Sequence, residues 1–268
     1  MMPKICRIVT KTDNQQSNTK RLIDMYYAKT LPRATCLVTP GRFLTFNISS
    51  YPCIKANDPL CDNSQVIAAI CNDAEKEIKA FLNQTHLHSI YEVITIGIDG
   101  ENLVKTKIEL VAIVTKGNNC SPDIRWTGKS YPKSDEVHKL IRFRDYQSHC
   151  YTHGVERVLV LGCHDLNIYS SRGNKNLGSN SQKSTWNKLY KQVIANFNPT
   201  IVLHHPHRTD STRTWRNAYA NLIKTTRTID SYASGILYQP KTSGRNPSNK
   251  LADVLRATAH NNYIDLQL

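Results

Sequence analysis

The alternation of apolar and polar positions divides the first half of the chain into strands and helices. Alternating side chains over residues 41–48 predict a strand, and apolar residues at helical spacing predict a helix over 64–82. Two β-branched segments, 92–98 and 107–115, are separated by turn residues and predict a β-hairpin.

In the second half, the short and wholly apolar segment 158–161 and the segment 200–203 predict buried strands. We expect a further strand at 231–238 and helices at 134–150, 181–197, 211–225 and 250–259. This order of elements predicts an α/β fold of mixed sheets flanked by helices. We expect a single α/β domain over residues 1–268, with residues 1–20 as a flexible start.

The composition is that of a folded protein. The chain has 268 residues, and 40% of them are hydrophobic, which is enough for a packed core. No apolar run approaches the roughly 18–20 residues that span a bilayer, and no signal peptide opens the chain, so we expect a cytoplasmic protein without a membrane partner. The eight cysteines include no Cys-x-x-Cys pair, which argues against a zinc ribbon and favours reduced, buried thiols.

The charge is strongly positive and unevenly distributed. The net charge is +14, and residues 161–268 carry 14 basic and 5 acidic residues, with no glutamate. A positive field of this kind attracts polyanions, so we expect nucleic acid as the partner. The sequence gives no indication of the oligomeric state.

Two segments that follow predicted strands carry most of the candidate catalytic and metal-binding side chains. The first is Gly-Cys-His-Asp at 162–165, and the second is His-His-Pro-His-Arg-Thr-Asp-Ser at 204–211. Sites in α/β proteins form at the carboxyl ends of strands. Imidazole and carboxylate groups together are typical of sites for Zn²⁺, Mn²⁺ or Fe, so a divalent metal, Zn or Mn, is the expected cofactor.

The second segment, with Trp215 after it, resembles the late motif of metallo-β-lactamase-fold hydrolases of the ComEC-like type. The resemblance implies an αββα sandwich in which Asp165 and His204 or His205 are metal ligands. Thr-His-Leu-His at 85–88 keeps the start of the family's early His-x-His-x-Asp-His motif but lacks its Asp-His. His86 and His88 are the remaining candidate ligands.

This resemblance leads to the hypothesis of a metal-dependent phosphodiester hydrolase, a nuclease acting on nucleic acid. Asp165, His164 and His207 are the expected catalytic residues, either as further ligands or as the general acid. Four arginines are expected to bind phosphate: Arg172, Arg208, Arg213 and Arg216. Because the early motif is degenerate, the alternative is an inactive, basic nucleic-acid-binding or scaffold protein that retains the fold.

Weaker sequence patterns point to other enzyme classes. The tetrad at 162–165 also resembles the Gly-Asn-His-Asp motif of calcineurin-like phosphoesterases. A PD-(D/E)xK nuclease would use Asp99 and Glu109, but the residue two positions beyond Glu109 is Val111 rather than lysine. Gly-Lys-Ser at 128–130 matches the end of the P-loop motif, but the upstream glycine of that motif is missing, which argues against a P-loop. Cys163 precedes His164, and adjacent residues on an extended strand point to opposite faces, which argues against thiol catalysis.

Overall fold

A computed structural model describes residues 4–49, 51, 64–101, 107–117, 121–131, 140–170, 182–208, 212–240 and 249–268. Within these ranges the α-helices are α1 Gln15–Tyr27, α2 Ser64–Thr85, α3 Gln182–Phe197, α4 Thr212–Thr225 and α5 Leu251–Ala257. The strands are β1 Ile5–Thr10, β2 Cys36–Val38, β3 Leu44–Asn47, β4 Val93–Glu101, β5 Lys107–Lys116, β6 Pro122–Gly128, β7 Cys150–His153, β8 Glu156–Leu161, β9 Ile201–His204, β10 Ser231–Ser234, β11 Ile236–Leu237, β12 Ala259–His260 and β13 Tyr263–Gln267.

The strands form two mixed sheets. In the first sheet the order is β11-β1-β2-β4-β5-β6, with β13 also paired to β1 and β3 to β4. Strands β4, β5 and β6 are antiparallel, so the predicted hairpin is confirmed. The second sheet has the order β12-β10-β9-β8-β7, with β8, β9 and β10 parallel.

The two sheets pack face to face, and helices cover their outer faces. Val158 and Val160 of β8 lie in the same apolar cluster as Val111 of β5, which belongs to the other sheet. Leu159 and Leu161, which alternate with them, pack in a cluster that includes side chains of α3 and α4. Both faces of β8 are therefore buried over residues 158–161, as the wholly apolar sequence of that segment predicts. The helices α1 and α2 contribute to the cluster on the outer face of the first sheet.

Most of the predicted helices are confirmed within a few residues, but the one expected at 134–150 is wrong for its described part. Residues 132–139 lie outside the described ranges, and over 140–149 the chain forms a bridge at Leu140 and a short 3-10 turn, Tyr146–His149. The side chain of Asp145 accepts a hydrogen bond from the Gln147 amide, which favours a tight turn over a longer helix. No helix in the described part of the chain is long and apolar enough to cross a membrane.

Candidate active site

Three neighbouring strands of the first sheet place charged side chains in a row. Asp99 of β4 lies opposite Glu109 of β5 in the strand register. Just beyond β6, the amide of Lys129 donates a 2.8 Å hydrogen bond to the Glu109 carbonyl, which continues the β5–β6 pairing by one residue. Directly opposed residues on adjacent strands project from the same face. The row Asp99–Glu109–Lys129 is therefore a direct product of strand register, and all three residues are buried.

The second sheet contributes a cysteine and a histidine. Strand β8 ends at Leu161, and the chain turns so that His164 has φ −105° and ψ 1°. Cys163 therefore lies in a turn rather than on an extended strand. Strand β9 ends at His204, and the chain continues to His207, whose backbone amide donates to Cys163 Sγ at 3.3 Å.

His207 joins the groups of the two sheets. Its Nε2 lies 2.7 Å from Asp99 Oδ2, and its Nδ1 lies 3.4 Å from Glu109 Oε2. The second oxygen of Glu109, Oε1, lies 2.9 Å from the ammonium nitrogens of both Lys107 and Lys129. A ring nitrogen of His207, a carboxylate oxygen of Glu109 and Cys163 Sγ all lie within 4.8 Å of one another.

Gly41 leaves the space in which this arrangement fits. The Gly41 amide donates to the Pro206 carbonyl at 3.1 Å. A Cβ at position 41 would lie 2.7 Å from the His205 carbonyl oxygen and 3.4 Å from Cδ2 of the His207 ring. The loop after β2 can therefore approach the loop after β9 this closely only because residue 41 has no side chain.

The electrostatics favour an ionised thiol. Burial by itself raises the pKa of Cys163, but the neighbouring imidazoles of His164 and His207 more than offset it, and the pKa lies well below that of an ordinary thiol. Burial lowers the pKa of His207, yet Asp99, Glu109 and the cysteine sulfur raise it well above its usual value. Burial raises the pKa of Glu109, but His207, Lys129 and Lys107 bring it down to about 2. The cluster therefore holds a thiolate beside an imidazolium.

Such a thiolate is a nucleophile at neutral pH. Cysteine, histidine and glutamate are also ligand types for zinc. However, Glu109 Oε1 already has two ammonium groups at 2.9 Å, and these two cations oppose the approach of a third. The arrangement fits nucleophilic chemistry better than metal coordination.

Asp165 and His204 lie next to the cysteine, but their polar atoms are already used. The carboxylate of Asp165 accepts three backbone hydrogen bonds, from Gly162, Ser130 and Tyr131. His204 Nε2 donates to the Cys163 carbonyl at 3.1 Å, and Nδ1 accepts from Ser234 Oγ at 2.9 Å. Burial lowers the pKa of His204 to about 4, so its ring is neutral. Both side chains act as hydrogen-bonding supports of the cysteine turn.

The other expected metal ligands are not part of the cluster of Cys163, His207 and Glu109. The ring of His205 is buried, and burial lowers its pKa to about 3. His86 packs against Tyr26 with ring centroids 4.8 Å apart and the rings tilted, and His88 lies in the 3-10 turn that follows α2. That turn precedes β4, whose Asp99 is six residues beyond its first residue, about 20 Å along an extended strand. His86 and His88 are thus at the far end of the sheet from the site.

The expected phosphate-binding arginines are not gathered at the site. Arg208 is exposed and its guanidinium donates to the Gln239 carbonyl, with Nε at 3.0 Å. Arg213 and Arg216 are exposed on α4, and Arg172 lies outside the described residues.

Sequence reasoning misses four of the central residues: Cys163, Lys129, Glu109 and Asp99. The expectation of an extended strand argues against Cys163, the P-loop comparison gives Lys129 no role, and only the nuclease motif includes Glu109 and Asp99. The signal that could have found Glu109 and Asp99 is an acidic residue next to the apolar and β-branched run of a predicted strand. His207 was expected to be catalytic, and His164 lies next to Cys163.

No family model and no curated protein sequence matches this chain. Among solved structures, the chain is similar to an amidase of Nesterenkonia sp. AN1, with a TM-score of 0.50. That structure is of a cysteine-to-alanine variant, and the amidase belongs to the nitrilase superfamily. It is 10% identical, and the match covers 91% of this chain and 78% of that chain. The chain therefore has a nitrilase-type fold.

Two other solved structures match with lower TM-scores. The glutamine-dependent NAD⁺ synthetase of Acinetobacter baumannii has a TM-score of 0.46 at 16% identity, and the match covers 87% of this chain. The chain spans only 38% of the length of that synthetase. The NitN amidase of Nesterenkonia sp. has a TM-score of 0.46 at 10% identity, covering 95% of this chain and 93% of that chain.

The nitrilase-type fold corrects the expectations that rested on the metallo-β-lactamase resemblance. The resemblance itself is wrong, as are the metal-dependent nuclease function and the Zn or Mn cofactor assigned from it. The physical reason is visible at Asp165 and His204, whose oxygen and nitrogen atoms are used by backbone and side-chain hydrogen bonds. The coarser expectation, mixed sheets flanked by helices, is confirmed.

Proposed function

We propose that the chain is a thiol hydrolase that cleaves the carbon–nitrogen bond of a carboxylic amide through an acyl intermediate on Cys163. The observation that carries the proposal is the cluster of Cys163, His207 and Glu109 within 4.8 Å, with Asp99 on the second nitrogen of His207. A nucleophile, a proton carrier and a group that orients the carrier are the parts that acyl transfer requires. The amide is chosen because the fold neighbour is an amidase.

Acylation begins with attack of the Cys163 thiolate on the amide carbonyl carbon. Negative charge develops on the carbonyl oxygen, and the fully buried ammonium of Lys129 supplies a fixed positive charge near it. His207 gives its proton to the amide nitrogen, the carbon–nitrogen bond breaks, and the amine leaves. The acyl group is then held on sulfur as a thioester.

Deacylation returns the site to its starting state. A water molecule attacks the thioester carbon while His207, now neutral, accepts the proton. The carbon–sulfur bond breaks, the carboxylic acid leaves, and the Cys163 thiolate is again beside an imidazolium. Asp99, at 2.7 Å from Nε2, keeps the ring in one orientation throughout.

The direct test is to measure which cysteine reacts with iodoacetamide and how the rate depends on pH. We expect one alkylated site, Cys163, with a rate that is already close to its maximum at pH 6. Cys150 is the matched control because it is the partly exposed free cysteine of the described residues and burial raises its pKa to about 12. Cys163→Ala should abolish the fast reaction, and Cys150→Ala should leave it unchanged.

The same proteins should then be incubated with a panel of primary amides, with release of ammonia and intact protein mass as readouts. We expect a mass increase equal to the acyl group in the wild type, ammonia release that resists EDTA, and neither signal in Cys163→Ala. Fast alkylation at another cysteine, or amide hydrolysis that persists in Cys163→Ala, would overturn the proposal.

A further inference from the structure

Asp165 holds together the two loops that carry Cys163 and Lys129. Its Oδ2 accepts the Gly162 amide at 2.9 Å, and its Oδ1 accepts the amides of Ser130 at 3.0 Å and Tyr131 at 2.7 Å. Gly162 directly precedes the cysteine, and Ser130 directly follows the lysine. One carboxylate therefore fixes, by three hydrogen bonds, the backbone on both sides of the site.

Ser130 is fixed by its other polar atoms as well. Its carbonyl accepts from Arg142 Nε at 2.7 Å, and its hydroxyl lies 2.7 Å from His149 Nε2. His149 Nδ1 lies 2.7 Å from the Val160 carbonyl, which can only accept, so Nδ1 carries the proton and the Ser130 hydroxyl donates to Nε2. Because Val160 belongs to β8, His149 forms a second bridge, between the loop of Ser130 and the strand that leads to Cys163.

Asp165 itself is fully buried, and its carboxylate faces backbone amides rather than the sulfur. We propose that Asp165 is a positioning residue, which sets where Cys163 Sγ lies relative to His207 and Lys129. This inference rests on the proposed thiol hydrolase function. It gives Asp165 a role that needs neither a metal nor contact with the substrate.

The test is Asp165→Asn, which puts an amide donor where the carboxylate accepts from backbone donors. We expect alkylation of Cys163 at pH 6 to slow by about tenfold or more, the thiol pKa to rise, and kcat to fall with little change in KM. The direction of the pKa change separates two explanations. Loss of a nearby negative charge alone would favour the thiolate and lower the thiol pKa, whereas a displaced thiolate–imidazolium pair raises it.

Asp265→Asn is the matched control because Asp265 bridges the buried Arg7 at the β1–β13 pair, away from the site. It should lower the unfolding temperature without changing the thiol pKa. If Asp165→Asn does not fold, Asp165→Ser keeps one acceptor oxygen in a smaller side chain and should shift the thiol pKa in the same direction. An unchanged or lowered thiol pKa in a folded variant overturns the positioning role. Slow alkylation of the wild type overturns the proposed function instead.

A separate observation concerns the outer helices. The two helices over the second sheet, α3 and α4, contain no aspartate or glutamate and six basic residues, Lys183, Lys188, Lys191, Arg213, Arg216 and Lys224. The two long helices over the first sheet, α1 and α2, contain four basic and four acidic residues. One helix layer is therefore neutral, and the other carries six basic residues, of which four are exposed: Lys188, Arg213, Arg216 and Lys224.

We infer that the α3–α4 face binds the phosphate backbone of a nucleic acid. Between the cations this face carries polar side chains such as Asn217, whose exposed amide can hydrogen-bond phosphate and sugar oxygens. The described residues of the two helices expose one large apolar side chain, Leu189, whereas a membrane-binding helix needs an apolar face. The charge and the polar side chains together fit nucleic acid better than lipid.

The test compares two charge reversals of equal size. Arg213→Glu with Arg216→Glu reverses two charges on α4, and Lys20→Glu with Arg21→Glu reverses two charges on α1. Fluorescence anisotropy with labelled 20-nucleotide RNA and DNA should show wild-type binding that weakens steeply with salt. We expect the α4 pair to weaken binding by about tenfold or more and the α1 pair by less than about twofold. Equal effects, no binding, or preference for phosphatidylserine vesicles would overturn this surface.

Discussion

His207 of the second sheet and Asp99 of the first sheet are joined by a hydrogen bond of 2.7 Å between Nε2 and Oδ2. The same imidazole has Glu109 on its other nitrogen at 3.4 Å. Two buried carboxylates on one ring favour the imidazolium, and the imidazolium favours the thiolate of Cys163. The reactivity of the site should therefore depend on this histidine as well as on His164, whose imidazole also lowers the pKa of Cys163.

His207→Gln should raise the pKa of Cys163, because the cation beside the sulfur is lost while burial remains. We expect alkylation by iodoacetamide at pH 6 to slow by about 10- to 100-fold, with the rate increasing again at alkaline pH. The measurement is the rate from pH 5 to pH 10. His153→Gln is the control, since His153 pairs with Glu92 at the surface, and an equal effect of the two substitutions would contradict the assignment.

Lys129 and Lys107 contact the same oxygen of Glu109 but differ in burial, with side-chain exposures of 0% and 27%. Lys129→Met should reduce kcat by about 10²- to 10³-fold, because it removes a desolvated positive charge from the site. Lys107→Met should have a smaller effect, because solvent screens that charge. Steady-state kinetics on the best amide of the panel provides the comparison, and equal losses would show that Lys129 has no special role.

Gly41→Ala should damage the site without touching any charged group. The added Cβ would lie 2.7 Å from the His205 carbonyl oxygen, so the backbone before His207 must move. We expect a loss of about 1–3 kcal/mol in the free energy of unfolding and slower alkylation of Cys163. Urea unfolding and alkylation rates are the two measurements. A variant with wild-type stability and wild-type rate would show that the two loops do not pack this closely.

His204 and His205 should make the protein less stable in acid. Burial lowers their pKa values to about 4 and about 3, so the folded state binds these protons less readily than the unfolded chain. Their contribution to stability is therefore complete above about pH 6.5 and is lost as the pH falls toward 4. For each, the loss at pH 5 is about 2 kcal/mol.

The measurement for these histidines is urea unfolding at intervals from pH 7 to pH 4.5. His205→Asn replaces the titrating ring by a group that does not titrate in this range, and the slope of stability against pH should become smaller. A variant with the same slope as the wild type would contradict a neutral, buried His205.

Periodicity predicts those parts of this fold that depend on local burial. Strands β8 and β9 are predicted by their apolar runs, and β4 and β5 by their paired β-branched segments. These patterns predict the strands because each strand buries its side chains wherever it packs. The helix expected at 134–150 fails over its described residues because Arg142 and Asp145 make specific polar contacts there. Such contacts leave no periodic signal in the sequence.

The site is less predictable than the fold for a similar reason. Strand register brings Asp99 and Glu109 together, and the register of the hairpin depends on its loop length rather than on any motif. Cys163 meets His207 only through the turn after β8 and the parallel pairing of β8 with β9. These contacts are long-range, so sequence spacing alone favoured a metal site in place of a thiol.

Asp99, Glu109 and Lys129 come from one sheet and Cys163 and His207 from the other, so the complete site forms only where the two sheets meet. In a partly folded chain whose sheets are not packed together, His207 lacks the carboxylates of Asp99 and Glu109, and we expect a smaller thiolate fraction at Cys163. The rate at which Cys163 is labelled should therefore report whether the two sheets have packed together.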